Sequence, residues 1–382
     1  MKKIRDLVVI SGGFPNPKTI YKYKFLEQIV NEFVREGIHV TVISPIFCNH
    51  IREFYKSKWS YATLDRKVKV FQPLILNFTS KKIGELRLGK LSYLSFKKAV
   101  ARVIRKEKLR PDALYSHFIT PAGCTAAEIG TLLGIPAFCA VGESHIEDDF
   151  IATGKSFIVD KFKNITGIIS VSTENKEKMG RLNVSGTAPV IVLPNGVNQN
   201  EFYPHDRTEA RIKYGFDQEE VLGIFVGAFI DRKGVKRVEK ASEVANVKMI
   251  YVGSGEQDPV GNKVVFKGIV SHIDLPVLLS TADFFVLPTR EEGCCNAIIE
   301  AIACGLPIIS SKGKFNDDIL SPEYAIRVDP DSIDELSDAM RKLSIDKTVR
   351  QSMSEGAIRS RIKFDINVRA KKIIAFMEEC GA

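Results

Sequence analysis

Short apolar runs rich in β-branched residues alternate along this chain with helical stretches, and they do so twice over. Residues 7–10 (LVVI) stop at Gly12-Gly13 and read as a buried strand. Lys24–Arg35 spaces Phe25, Ile29, Phe33 and Val34 along one helical face, with Gly37 as its stop, and residues 39–44 are the next strand. Strand, glycine turn, helix, strand is a βαβ unit, which commits the chain to parallel pairing. The alternation runs on through residues 113–115, a helix over 121–133, Ala137–Val141, residues 167–171 and residues 190–193, up to the turn Pro194-Asn195-Gly196. It begins again at Leu222–Val226 and continues with Lys248–Val252, residues 264–266, Phe284–Leu287, residues 308–310 and Ala325–Val328. The expected fold class is α/β, with two doubly wound, Rossmann-like domains facing across a cleft. The first takes residues 1–198 and the second residues 199–365. Two domains also suit 382 residues, because single cores rarely grow past ~250–300. A last helical stretch spaces Val368, Ala370, Ile373, Ile374 and Phe376, and the helix of residues 366–382 can pack back on the first domain.

Composition excludes several classes. Seven cysteines, an odd number with no Cys-x-x-Cys pair, argue against a disulfide framework or a zinc ribbon and fit a reducing cytoplasm. The first apolar run is too short for a signal peptide or a membrane span. The net charge of +9 is uneven: residues 51–110 hold 17 Lys/Arg against four Asp/Glu, a local +13 that leaves −4 for the rest. A basic surface on one domain is expected, not a coat for nucleic acid.

Open α/β sheets bind ligands at the carboxyl ends of their strands, so chemistry is sought there. The densest cluster follows Phe284–Leu287: Pro288-Thr-Arg-Glu-Glu-Gly-Cys-Cys-Asn296, then Glu300 on an otherwise apolar helix. A carboxylate on such a helix is costly to bury unless hydrogen-bonded, and sugar or ribose hydroxyls would satisfy it. The N–H groups behind Gly293 suit a phosphate or sugar oxygen. The bland alternative makes Glu292 a solvated loop acid and pairs Glu300 with a local arginine.

The block 287–307, with Glu292 and Glu300 at its centre, resembles the Glu-x7-Glu signature of family-4 retaining glycosyltransferases of GT-B fold. Other landmarks stand in that family's order: Leu193-Pro-Asn-Gly-Val197, Val226-Gly227 with Arg232-Lys233-Gly234, Gly253-Ser-Gly255, Phe266-Lys-Gly268, Ala282-Asp283 and Val328-Asp-Pro330. The resemblance covers the second half closely. It covers the first half more loosely, through Gly12-Gly13, Pro111-Asp112, His117-Phe118 and Pro121-Ala-Gly123.

That resemblance implies a metal-independent transferase that moves a sugar from a nucleotide-diphosphate donor to a glycan or lipid-linked acceptor in bacterial surface-polysaccharide synthesis, with no cofactor. It implies catalytic roles for His117, Lys233 and Glu292. Donor contacts would come from Gly13, Arg232, Lys233, Val270, Glu292, Gly293, Cys294, Cys295, Asn296 and Glu300, and acceptor contacts from Gly12, His117 and Glu143. Two departures stand out. Ala228 replaces an arginine common in the family, and Val141-Gly-Glu-Ser144 replaces a His-Gly-Ser-Asp. They leave open a non-catalytic GT-B subunit or an epimerase of the same fold.

Gly253-Ser-Gly255 lacks the third glycine of a dinucleotide fingerprint, so a nicotinamide reading is rejected. Asp148-Asp149 and Asp317-Asp318 read as solvated loop acids, not metal ligands. The basic segment 51–110 interleaves Phe54, Tyr55, Trp59, Tyr61, Phe71, Phe78, Tyr93 and Phe96, which reads either as a solvated face or as a surface for anionic membrane with aromatics at the interface. No nucleic-acid motif accompanies it. The expected location is cytoplasmic, peripheral to the inner face of the plasma membrane.

Overall fold

The computed structural model describes residues 3–20, 22–63, 66–78, 82–83 and 86–381. The chain divides into two units, residues 1–193 with 369–382, and residues 194–368.

In the first unit an eight-stranded sheet runs Val190–Val192, Gly167–Ser170, Ala137–Val141, Ala113–His117, Asp6–Ser11, His39–Ile43, Arg66–Phe71, Lys58–Thr63. All neighbours are parallel except the last pair. The order reverses direction at Asp6–Ser11, which pairs with His39–Ile43 on one side and Ala113–His117 on the other. Strand ends diverge at such a switch point and leave a crevice at their carboxyl ends. Strands covered on both faces must be apolar throughout, and Leu7–Ile10 and Ala137–Val141 are buried at every position.

The hairpin of Lys58–Thr63 with Arg66–Phe71 was not expected from the apolar runs. It alternates, with Val68 and Val70 buried and Lys67 and Lys69 exposed. Several aromatics of 51–110 are not available to an interface. Phe71, Tyr93 and Phe96 lie in the core, while Trp59 and Tyr61 pack against Phe14 at 6.4 and 6.2 Å between ring centres. The exposed apolar side chains of this region are aliphatic for the most part: Ile51, Leu74, Leu76 and Leu94, with Phe78 beside them.

The second unit holds a parallel six-stranded sheet in the order Val264–Gly268, Lys248–Val252, Leu222–Val226, Phe284–Leu287, Ile308–Ser311, Ala325–Val328. Its switch point lies between Leu222–Val226 and Phe284–Leu287. Residues 194–198 go with this unit because their bonds do. Val197 N–H donates to Phe364 O at 2.8 Å, and Ile366 N–H donates to Val197 O at 3.1 Å. Asn195 Nδ2 donates to Asn296 Oδ1 at 2.8 Å.

The helix Ile366–Cys380 carries the C-terminal apolar spacing. Its Phe376 ring packs on Phe138 at 6.3 Å and lies against Gly167, both in the first unit. No helix among the described residues is long and apolar enough to cross a membrane.

Candidate active site

Two glycine turns end the neighbouring strands Leu222–Val226 and Lys248–Val252 of the second unit, and they lock onto each other. Gly227 N–H donates to Val252 O at 2.9 Å, and Phe229 N–H to Ser254 O at 2.8 Å. Gly253 has φ +146°, and a Cβ there would stand 1.9 Å from Gly227 O; Gly255, at φ +155°, would place one 2.5 Å from Phe229 O. Both glycines are required by this turn, which accounts for Gly253-Ser-Gly255 without a dinucleotide.

Beyond the turn, Asp231–Lys233 forms a short 3₁₀ segment ended by Gly234 at φ +83°. It points its cations at the loop after Phe284–Leu287. Arg232 Nη1 and Lys233 Nζ both engage Glu292 Oε1, the arginine at 2.6 Å, and Arg232 also donates to Glu291 O at 2.5 Å. Thr289 Oγ1 lies 3.4 Å from the same Glu292 oxygen. Glu292 is thus no solvated loop acid. Burial opposes the Lys233 charge, yet the neighbouring Cys295 and the Glu292 carboxylate outweigh it and hold the amine above its ordinary value. The site carries two cations on one carboxylate, a local positive excess.

The helix Asn296–Ala303 begins directly behind this cluster with no side-chain cap, so its N-terminus adds backbone donors and the positive end of its dipole. Gly293 and Cys295 are buried, and Cys294 Sγ accepts Asn195 N–H at 3.4 Å. Glu300, on the helix's second turn, takes His272 Nε2 at 3.3 Å, not an arginine. Val270 sits in the turn after Val264–Gly268, half-buried against the core. Ala228 is exposed, and Arg232 is committed to Glu291 and Glu292.

In the first unit the switch point opens into a cavity of about 310 Å³ lined by Gly12, Gly13, Tyr23, His50, Glu53 and His117, among others. Gly12 has an ordinary φ, and a Cβ there would meet nothing within 4 Å, so the fold itself does not demand glycine at that point. His117 ends its strand opposite Ser11 and is buried, with Phe25 and Phe118 rings each 5.0 Å away. Burial, with the Arg369 charge behind it, pushes its pKa down to about 3, so the ring is neutral and its Nδ1 has no partner among the described residues. A neutral imidazole can accept or donate one hydrogen bond but cannot serve as a cation.

Glu143 does not line this cavity. Its carboxylate accepts Ile119 N–H at 2.6 Å and Gly142 N–H at 2.9 Å, which ties down the segment that follows His117. Burial pushes its pKa up to about 7. Asp149 is no solvated loop acid either. It is the second residue of the helix Asp148–Thr153, and burial raises it to about 6. Asp317 pairs with Arg327 at 2.7 Å. Among the described residues no group of three His, Cys, Asp or Glu side chains could hold a metal ion.

The sequence reading passed over His272, Thr289, Tyr23, His50 and Glu53. Thr289 stood inside the block 287–307 without a role, and each of the others is an isolated residue in a loop, a turn or a helix flank, with no spacing that marks it. Asn195 stood in a recognised turn but carried no role.

Two doubly wound α/β units are the components of the GT-B fold. Sucrose-phosphate synthase from Thermosynechococcus elongatus superposes with a TM-score of 0.78 at 17% identity, covering 98% of both chains. Anabaena HepE in complex with UDP superposes with 0.73 at 16% identity, covering 98% of this chain and 100% of that one. Residues 206–360, within the second unit, match the model of the family described as glycosyl transferases group 1. Over 95% of its length the chain is 23% identical to a Bacillus subtilis (strain 168) protein whose name assigns it to teichuronic acid biosynthesis, the glycosyltransferase TuaC, of which 96% is covered. It is also 23% identical, over 61% of its length and 67% of the relative's, to the N,N'-diacetylbacillosaminyl-diphospho-undecaprenol alpha-1,3-N-acetylgalactosaminyltransferase of Campylobacter jejuni.

Proposed function

We propose that the protein is a retaining, nucleotide-sugar-dependent glycosyltransferase whose second unit binds the donor and whose first unit binds the acceptor. The observation that carries this reading is the pair of cations, Arg232 and Lys233, gathered on Glu292 in front of an uncapped helix N-terminus. When the glycosidic bond to the donor breaks, negative charge grows on the departing diphosphate. Fixed cations and backbone donors already in place stabilise that charge without reorganising. Lys233 then meets the diphosphate, with Gly293, Cys294, Cys295 and Asn296 lining the sugar and phosphate and Val270 beneath the base. Glu292 orients the transferred sugar, and Glu300 takes the ribose. The acceptor hydroxyl attacks on the face the diphosphate leaves, and the diphosphate takes its proton. His117, held neutral, contributes a hydrogen bond and not a proton. No metal is called for, because the chain supplies the cations.

The acceptor in this reading is a glycan or a lipid-linked saccharide of bacterial surface-polysaccharide synthesis. Two of the relatives support it, one named for teichuronic acid and one for a diphospho-undecaprenol acceptor. An anionic membrane face then meets the basic surface of residues 51–110, on the cytoplasmic side.

Lys233→Met tests the donor reading. Transfer should fall by ~10²–10³ in kcat with the thermal midpoint kept, as for the loss of one preorganised donor. Undiminished turnover would overturn the assignment. The anomeric configuration of the product, read by NMR, tests retention, and an inverted product would overturn the same-face mechanism.

A further inference from the structure

Glu292 and Glu300 have seven residues between them but live in opposite surroundings. Glu292 is clasped by Arg232, Lys233 and Thr289. Glu300 rises from a helix whose neighbouring positions, Ile298, Ile299, Ala301 and Ile302, are buried in the core. Its side chain is only 15% exposed, and among the described residues its carboxylate meets one hydrogen-bond partner, His272 Nε2. An ionised carboxylate has room for about four such bonds, so most of its capacity is unspent at a half-buried position.

His272 is held for this contact. Its turn is closed on both sides, since Ser271 Oγ donates to Asp274 Oδ2 at 2.7 Å and Asp274 N–H donates back to Ser271 Oγ at 3.1 Å. The ring stands edge-on to the buried Phe202 at 4.9 Å. The two isoleucines about it, Ile269 and Ile273, are 79% and 89% exposed, while the histidine between them is turned inward. A loop that leaves Ile269 and Ile273 in solvent and directs its one imidazole at a carboxylate is arranged around that carboxylate.

We infer that His272 is a positioning residue that fixes the Glu300 carboxylate so that its open lone pairs face the two hydroxyls of the donor's ribose. This rests on reading Glu300 as the ribose-binding acid. A vicinal diol supplies two O–H donors to one carboxylate, whereas a deoxyribose supplies one, and a bond to a charged acceptor is worth enough to separate the two by ~10-fold or more. A carboxylate free to swing away from the imidazole loses that discrimination before it loses the nucleotide.

The probes are UDP, GDP and ADP; the tightest binder is then compared with its own 2′-deoxy and 3′-deoxy forms by calorimetry on the full chain. The wild-type protein should prefer the ribonucleotide by ~10-fold or more. His272→Phe keeps the ring against Phe202 but cannot hydrogen-bond, so the preference should fall below ~3-fold at an unchanged thermal midpoint. His272→Gln, which keeps an N–H at similar reach, should restore most of it. Glu300→Gln reports on the underlying reading and should abolish the preference. If Glu300→Gln loses the preference while His272→Phe keeps it, His272 has no positioning role and the proposal alone falls. If the wild-type chain shows no preference for the ribonucleotide, or Glu300→Gln keeps the wild-type preference, Glu300 is not the ribose acid and both readings fall.

Discussion

Three buried ionisable side chains in the first unit pull its stability in opposite directions with pH. Glu143 and Asp149 are raised by burial, to about 7 and about 6, while His117 is lowered to about 3. A carboxyl whose folded pKa lies above its unfolded one contributes stability that is complete below the unfolded value and lost as pH rises through the folded value. For Glu143 that window runs from pH ~4.5 to about 7, and the full shift is worth on the order of 3 kcal/mol. The histidine has the reverse sign. Its contribution is complete above pH ~6.5 and disappears as pH falls toward 3. Glu143→Gln should therefore flatten the loss of stability between pH ~4.5 and about 7. Measured by urea unfolding, the wild-type advantage over the variant should shrink steadily across that range. A gap independent of pH would mean that the Glu143 carboxyl titrates normally. None of this was legible in the sequence, where Glu143 looked like an acceptor ligand and Asp149 like a surface acid; burial, and the backbone N–H groups that turn a side chain away from solvent, are tertiary facts.

At the level of elements, most strands could be read from their apolar runs, because a parallel strand covered on both faces has no polar position to hide its pattern. The hairpin Lys58–Thr63 with Arg66–Phe71 escaped for the complementary reason. Its lysines alternate with valines, and a charged half-exposed strand resembles a solvated segment. The turns behave likewise: order along the chain located them, but only geometry separates glycines needed by the fold from one that the fold leaves free. Gly253→Ala would drive a Cβ into Gly227 O at a φ that L residues avoid, and should destabilise the second unit by ~3 kcal/mol or more. Gly12→Ala meets open space. It should leave the thermal midpoint within about 1 °C, since a surface change away from packing is close to neutral, yet lower kcat/KM for the acceptor by intruding on the cavity. Differential scanning calorimetry beside acceptor titrations separates these outcomes. A Gly12→Ala protein with unaltered acceptor kinetics would move the acceptor away from that cavity.

For the molecule as a whole, the uneven charge acquires a location. The helix Gly89–Lys106 exposes Leu94, Lys98, Arg102 and Arg105 at spacings of three and four, which puts them on one face, and Lys108 and Arg110 continue the stripe past its end. Alongside lies a groove lined by Arg105, Lys108, Arg110, Leu132 and Leu133, with Leu132 78% exposed. Aliphatic side chains rimmed by cations suit an anionic lipid surface better than a base stack, since no aromatic ring is presented there for stacking. Each basic residue near such a surface is worth about 1 kcal/mol. Removing three charges together, Lys98→Gln with Arg102→Gln and Arg105→Gln, should thus weaken binding to phosphatidylserine-containing vesicles by ~10²-fold at low salt, with little effect on neutral vesicles. Nucleotide binding by the second unit should not change. Raising the salt should weaken the wild-type interaction and narrow its difference from the triple variant, because exposed charges are screened beyond ~10 Å at 0.1 M. Equal vesicle binding by the two proteins would make the stripe a solvated face and nothing more; a fall in nucleotide affinity would instead place these charges at the donor.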